Sequence, residues 1–202
     1  MQSWHTTYFG LRELPRGIST FELQSFFTYS RPERELINAR RSNAHKLGLS
    51  THIRFLRLSG RLLNSVRIVP TTLWRHLGDE IGITAVELAS LRALYVRGRT
   101  LFDHQQLACD VLGFHWMTEH QRRALVRTLR DEVARCADRD QLLVFARRWL
   151  YQSKILILRD RDIRVLVTAA LGQLEEETAK TIAASVLPEQ LVRWRDAMAA
   201  LR

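Results

Sequence analysis

The stretch ARRSNAHKLGLSTHIRFLRLSGR, Ala39 to Arg61, decides how the first third of this chain folds. Leu49, Ile53, Leu56 and Leu63 recur on one stripe of a 3.6-residue period, while Lys46, Arg54, Arg57 and Arg61 recur on another. That pattern predicts a helix with an apolar face toward a core and a separate cationic face. From Arg31 to Arg67 nine basic residues stand against only Glu33 and Glu35, so few partners exist within the segment to neutralise them. The cationic face is then either an ordinary solvated surface or a grip for a polyanion.

Outward from this segment the helical spacing continues almost everywhere. Proline and glycine are scarce, at 4 and 9 residues, and the expected fold class is all-α: two small helix-turn-helix-like units followed by a helical bundle or buttress. Ser19 can cap a helix through about Phe27, and Ser30-Arg31-Pro32-Glu33 has capping-box spacing with proline in the first turn. Pro70-Thr71-Thr72 opens a helix toward Gly82, Thr84 to Glu87 a second, and Thr100 to Asp103 a third that stops at Gly113. Amphipathic helices follow from Thr118 to about Cys136, from Asp138 to about Gln152, and from Asp160 or Asp162 toward Gly172. VRIVP (Val66 to Pro70) and KILIL (Lys154 to Leu158) are short β-like runs best placed as connectors. The expected division is 1–65, 66–116 and 117–202.

A chain of 202 residues with 46% hydrophobic content can bury a core. Its 31 Lys+Arg against 21 Asp+Glu give a net charge of +10, and the cations are overwhelmingly arginine, whose planar fork suits phosphates and guanine edges. Nucleic acid therefore leads the partner classes. Cys109 and Cys136 are too few and too far apart for a zinc cluster or a disulfide scaffold, which points to a reducing, cytoplasmic setting. No signal-peptide core or bilayer-spanning run is evident, so no membrane is expected. His104, Cys109, His115 and His120 lack the spacing of metal ligands, and the carboxylates are dispersed. Neither a metal, a cofactor nor a catalytic group is expected, and Trp74, Trp149 and Trp194 read as core.

Two groups of residues are candidates for DNA contact. In the first, Arg40, Arg41, Lys46, Arg54, Arg57 and Arg61 suit phosphates; Asn43 and His45 could reach bases, while Asn43 could equally cap the helix. In the second, Arg97, Arg99, Thr100, His104 and Gln105 surround the start of a candidate recognition helix. Gln105 and Gln106 are adjacent and point about 100° apart, so only one of them faces any single ligand.

Arg40, Arg41, Asn43, Leu47, Gly48, Leu56, Arg57 and Gly60 carry a resemblance to replicative, cointegrate-forming transposases of the Tn-three family. FELQSFFTYSRPERELI before them and VRGRTLFDHQQLACDVLGF after them are similar to that family's flanking blocks in the same order, and the likeness extends over about Phe21 to Gly172. The block ILRDRDIRV is looser, and no functional residue is carried over from it. The resemblance implies a region that binds the terminal inverted repeats of a transposon, separate from an RNase-H-like catalytic domain, and hence a non-catalytic part acting at the nucleoid. It leaves a second possibility, a helical interaction module that self-associates or docks on full-length transposase, with Leu174 to Arg202 as the docking surface.

Overall fold

With so few helix breakers, almost every turn of this chain can be traced to a glycine, a proline or a cap. In the computed structural model the described residues are 8–14, 17, 19, 21, 24, 28–65, 69–84, 88–96, 98–136 and 138–200. Among them are nine helices: α1 (Arg31–Asn38), α2 (Asn43–Ser59), α3 (Thr71–Glu80), α4 (Leu88–Leu94), α5 (Gly98–Leu112), α6 (Glu119–Val133), α7 (Arg139–Gln152), α8 (Asp160–Ser185) and α9 (Pro188–Ala200). The all-α expectation is met. Most of the helix expected from Ser19 to Phe27, the first part of the 66–70 connector and most of the Thr84–Glu87 box lie outside the described residues. The 154–158 segment is a connector, held by a parallel bridge between Ile155 and His115 and by the Ile157 N–H donating to Gly60 O at 2.8 Å.

The chain forms two units, one of residues 1–118 with 144–160 and one of 119–143 with 161–202. The boundary expected at 65/66 falls inside the first unit, because one apolar cluster draws Leu47, Ile53 and Leu63 from one side of it and Leu73, Leu77 and Leu91 from the other. The boundary expected at 116/117 lies close to the observed change at Thr118, but 144–160 returns to the first unit.

Helix α2 is the axis of the first unit. Every residue from Leu47 to Ser59 is buried except Arg57, which keeps partial exposure. The polar ones survive burial by bonding back to the helix: Thr51 Oγ1 donates to Leu47 O and Ser59 Oγ to Phe55 O, each at 2.8 Å. Gly48 lets α4 and α5 approach, since a Cβ there would collide with Tyr95 Oη and stand 3.3 Å from His104 Cε1. Gly60 ends the helix at φ +70, where a Cβ would also meet Ile157 Cδ1 at 2.8 Å.

The separate cationic face expected on α2 is not there. Arg54 is fully buried with its guanidinium 3.5 Å above the Tyr29 ring. Arg57 pairs with Glu33, which is 2% exposed, and donates to Thr28 O at 3.1 Å. Arg61 pairs with Asp160 at 2.9 Å and donates to Leu158 O. Other elements wrap the whole circumference of α2, so the period that separated the stripes put both against protein. Burial pulls all three arginines below their ordinary pKa, opposed by the neighbouring tyrosines and, at Arg61, by Asp160. Asp160 also takes Arg147 at 2.9 Å and Arg12 at 3.6 Å. Burial would raise its carboxyl, but Arg147 and Arg61 hold it below the usual range.

Helix α1 reaches α2 through the same glutamate that starts it. Glu33 accepts from the Ser30 N–H at 2.9 Å in the capping box and extends its other oxygen to Arg57. On the opposite flank His52 is fully buried with neither ring nitrogen hydrogen-bonded, edge-on to Tyr95 and near His104. His104, 2% exposed, is hydrogen-bonded through Nδ1 to the Tyr95 hydroxyl, 2.8 Å away.

In the second unit, Leu125, Leu129 and Val133 of α6 are buried as their spacing predicts, with Ile163, Leu166, Val167 and Ala170 of α8. Arg130 joins the two helices by an ion pair to Glu177 at 2.9 Å. Helix α8 does not stop near Gly172 but runs to Ser185, and α9 begins at Pro188. Trp74 is buried and Trp149 half-buried, whereas Trp194 is 57% exposed, contrary to the core position expected of it. Among the described residues no helix is long and apolar enough to cross a membrane.

Two consequences can be measured. Glu33→Ala removes a cap acceptor and strands Arg57; urea unfolding should show a loss of about 2–3 kcal/mol, below the ~3–5 of a fully buried pair because Arg57 retains solvent contact. Burial lowers the pKa of His52 to about 3 and, with the charges of His45 and Arg40, that of His104 to about 4. Both rings are therefore neutral in the folded protein, and their contribution is complete above pH 6.5. Below 6.5 the unfolded chain takes up protons that the folded one refuses, so stability should fall by about 1.4 kcal/mol per pH unit for each ring until pH 4. His52→Leu should remove one ring's share of that slope in urea titrations at pH 7 and 5.

Candidate nucleic-acid interface

Only part of the predicted set of DNA contacts reaches the surface, and the part that does is brought together by a histidine pair. His45 lies in the first turn of α2, which is capped by Ser42, whose Oγ accepts the His45 N–H at 3.4 Å. Asn43 is not the cap; it is the first helical residue and is exposed. His45 Nδ1 stands 3.4 Å from His104 Nε2, with the rings edge to face. His104 belongs to α5, one helical turn past Thr100. The first turn of α2 and the first turns of α5, distant in sequence, thus share one part of the first unit.

Arg40 and Lys46 are half-buried and Arg41 is exposed at the α1–α2 turn and the start of α2. Arg99 is exposed and Thr100 half-buried in the first turn of α5. Arg40 stands near enough to His104 to help depress its pKa, after burial and His45. None of Arg40, Arg41, Lys46 and Arg99 forms an ion pair with a described residue, in contrast to Arg31, Arg34, Arg57, Arg61 and Arg147, which all do. Cations left without carboxylates keep their full field for a ligand.

The remaining candidates are placed otherwise. Arg54, Arg57 and Arg61 are spent inside the first unit and have the partners given above. His104 is buried behind His45, where it positions rather than contacts. Gln105 turns inward and donates to Leu63 O at 2.9 Å, while Gln106 is exposed and donates to Asp110 Oδ1 at 2.8 Å. Of the adjacent glutamines the second is thus the one that faces outward. Arg97 lies outside the described residues. Sequence reasoning passed over Phe102, which is 61% exposed on the same face of α5; its spacing of three from Arg99 was the available signal.

Comparison with known proteins agrees with a transposition context. The chain is 64% identical over all 202 residues to the "Transposase for insertion sequence element IS1071 in transposon Tn5271" of Comamonas testosteroni, spanning 21% of that protein. It is 24% identical over 168 residues, 83% of its length, to the "Transposase for transposon Tn1546" of Enterococcus faecium, where the match covers 17%. The chain therefore spans about a fifth of the length of these transposases. Residues 7–186, almost the whole of the first unit and most of the second, match the family described as "Domain of unknown function (DUF4158)", and the chain belongs to that family.

Proposed function

We propose that this chain binds double-stranded DNA at transposon ends as a non-catalytic, N-terminal part of a transposase of the Tn-three kind. The observation that carries the reading is the meeting of Arg40, Arg41 and Lys46 with Arg99 and Thr100 around the His45–His104 pair, four of these five being cations without carboxylate partners. Phosphate contacts from the arginines and Lys46 fix the position on the duplex, and residues on the outer face of α5 read the groove. The connection from α4 to α5 through residues 95–97 has the length of a helix-turn-helix turn, which supports α5 as the recognition helix. The relatives' own names, both transposases, support the transposon end as the target.

The test is fluorescence anisotropy of the whole chain on a duplex carrying a terminal inverted repeat of a related transposon and on a scrambled duplex, each at two salt concentrations. A preference for the repeat that persists at the higher salt supports the reading; equal affinities that collapse together with salt overturn it.

A second reading has its own observation. Leu187, just before α9, and Leu191, Trp194 and Met198 on it recur at four- and three-residue spacing and are all 48% exposed or more. That row favours contact with another protein chain, and light scattering behind gel filtration would reveal self-association.

The surface and the buried arginines should separate in mutants. Arg40→Ala with Arg41→Ala should lower the slope of log affinity against log salt by about 0.9 per lost phosphate contact, on cognate and scrambled DNA alike. Arg61→Met should leave that slope unchanged and lower the unfolding midpoint instead, because it removes one of Asp160's two partners at 2.9 Å and the donor to Leu158 O.

A further inference from the structure

Helix α5 is buried along one side, at His104, Ala108 and Cys109, and bare along the other, at Arg99, Phe102, Asp103 and Gln106. Phe102 sits three residues after Arg99 and four before Gln106, so the three side chains share a face in the first turns of the helix. Its ring is 61% exposed, held in water between polar neighbours, and burial against a ligand would reverse that cost. The charge around it selects the ligand. Arg99 precedes it by one turn, and Arg40, Arg41 and Lys46 stand on the part of the unit joined to α5 through His45 and His104, none with a carboxylate partner among the described residues. An apolar protein surface would leave those cations uncompensated; a nucleic acid would not.

Asp103 decides which part of the nucleic acid lies against this face. An exposed carboxylate beside a phosphate is repelled, whereas in the major groove it can accept from a cytosine amino group. The apolar feature that the major groove offers is the C5-methyl of thymine. We propose that Phe102 is a specificity-determining residue that packs on a thymine C5-methyl in the major groove of the bound duplex. The inference rests on the DNA-binding reading above and adds the residue and the base that it recognises.

Deoxyuridine isolates the methyl group, because it pairs as thymine does and lacks only that carbon. The experiment measures anisotropy with the whole chain on the repeat duplex and on a set in which each thymine of either strand is replaced in turn by deoxyuridine. The wild-type protein should lose about fourfold in affinity at one or two positions, the worth of one buried methyl group. Phe102→Ala should bind the unmodified repeat more weakly and be indifferent to deoxyuridine at those positions, while Phe102→Leu should keep part of the sensitivity. An exposed side chain can be removed without unfolding the helix, and circular dichroism of each variant checks it.

Equal wild-type affinity for every substituted duplex, with the preference for the repeat intact, overturns this inference and leaves the DNA-binding reading standing. Sensitivity that persists in Phe102→Ala also overturns it, assigning the methyl contact to another residue. Loss of any preference for the repeat overturns both.

Discussion

Three guanidinium groups, two on the buried helix α2 and one just past its stop at Gly60, set the terms for the first unit. A charged side chain taken out of water must be met by a partner, or the desolvation is not repaid. For α2 the partners come from three places: Tyr29 from the chain before α1, Glu33 from α1, and Asp160 from ninety-nine residues downstream of Arg61. Each pairing also brings in the element that carries it. Tyr29 is further tied to Ser50 of α2, Glu33 closes the cap of α1, and Asp160 gathers Arg12 and Arg147 as well as Arg61. The apolar cluster supplies the bulk of the driving force, and the arginines tie Tyr29, Glu33 and Asp160 to α2 and its C-terminal end.

The same demand sorts the basic residues into two populations. Those with carboxylates nearby are committed to the fold, even where they retain some exposure, as Arg57 does at 28% of its side chain. Those without, including Arg40, Arg41, Lys46 and Arg99, are available to a polyanion. A net charge of +10 therefore overstates the field at some places and conceals its concentration at others. The histidine pair supplies the geometry of that concentration. Gly48 allows α4 and α5 to come close, Tyr95 orients His104 through its hydroxyl, and His104 in turn meets His45 beside the capped start of α2. Burial keeps His104 neutral near pH 7, so the pair adds no repulsion of its own at the junction.

Much of the helical organisation was legible from local chemistry. The capping box at Ser30 and Glu33, the start after Pro70, the left-handed stop at Gly113, and the buried row Leu125, Leu129 and Val133 all follow from rules that act within a turn or two, whereas the stop at Gly60 cuts short the stripes read through Arg61 and Leu63. The candidate site was legible only in part. Arg40, Arg41, Lys46 and Arg99 were named from charge and place on open or half-open surface, but Arg54, Arg57 and Arg61 were named on the same grounds and are internal. Nothing in the spacing of α2 distinguishes the groups, because a second stripe on a helix looks the same whether water or Tyr29 lies against it.

The amino-acid sequence by itself determined the all-helical class, where most helices begin and end, and the excess of arginine. These depend on backbone propensities, caps and composition, each fixed by a residue and its near neighbours. Only the tertiary structure decided which arginines keep their charge for a ligand, that His104 and Gln105 turn inward while Phe102 and Gln106 turn outward, and that the starts of α2 and α5 form one surface. The reason is physical: a helical period assigns a side chain to a face, but what stands against that face comes from residues tens of positions away, and burial and pairing are properties of that encounter.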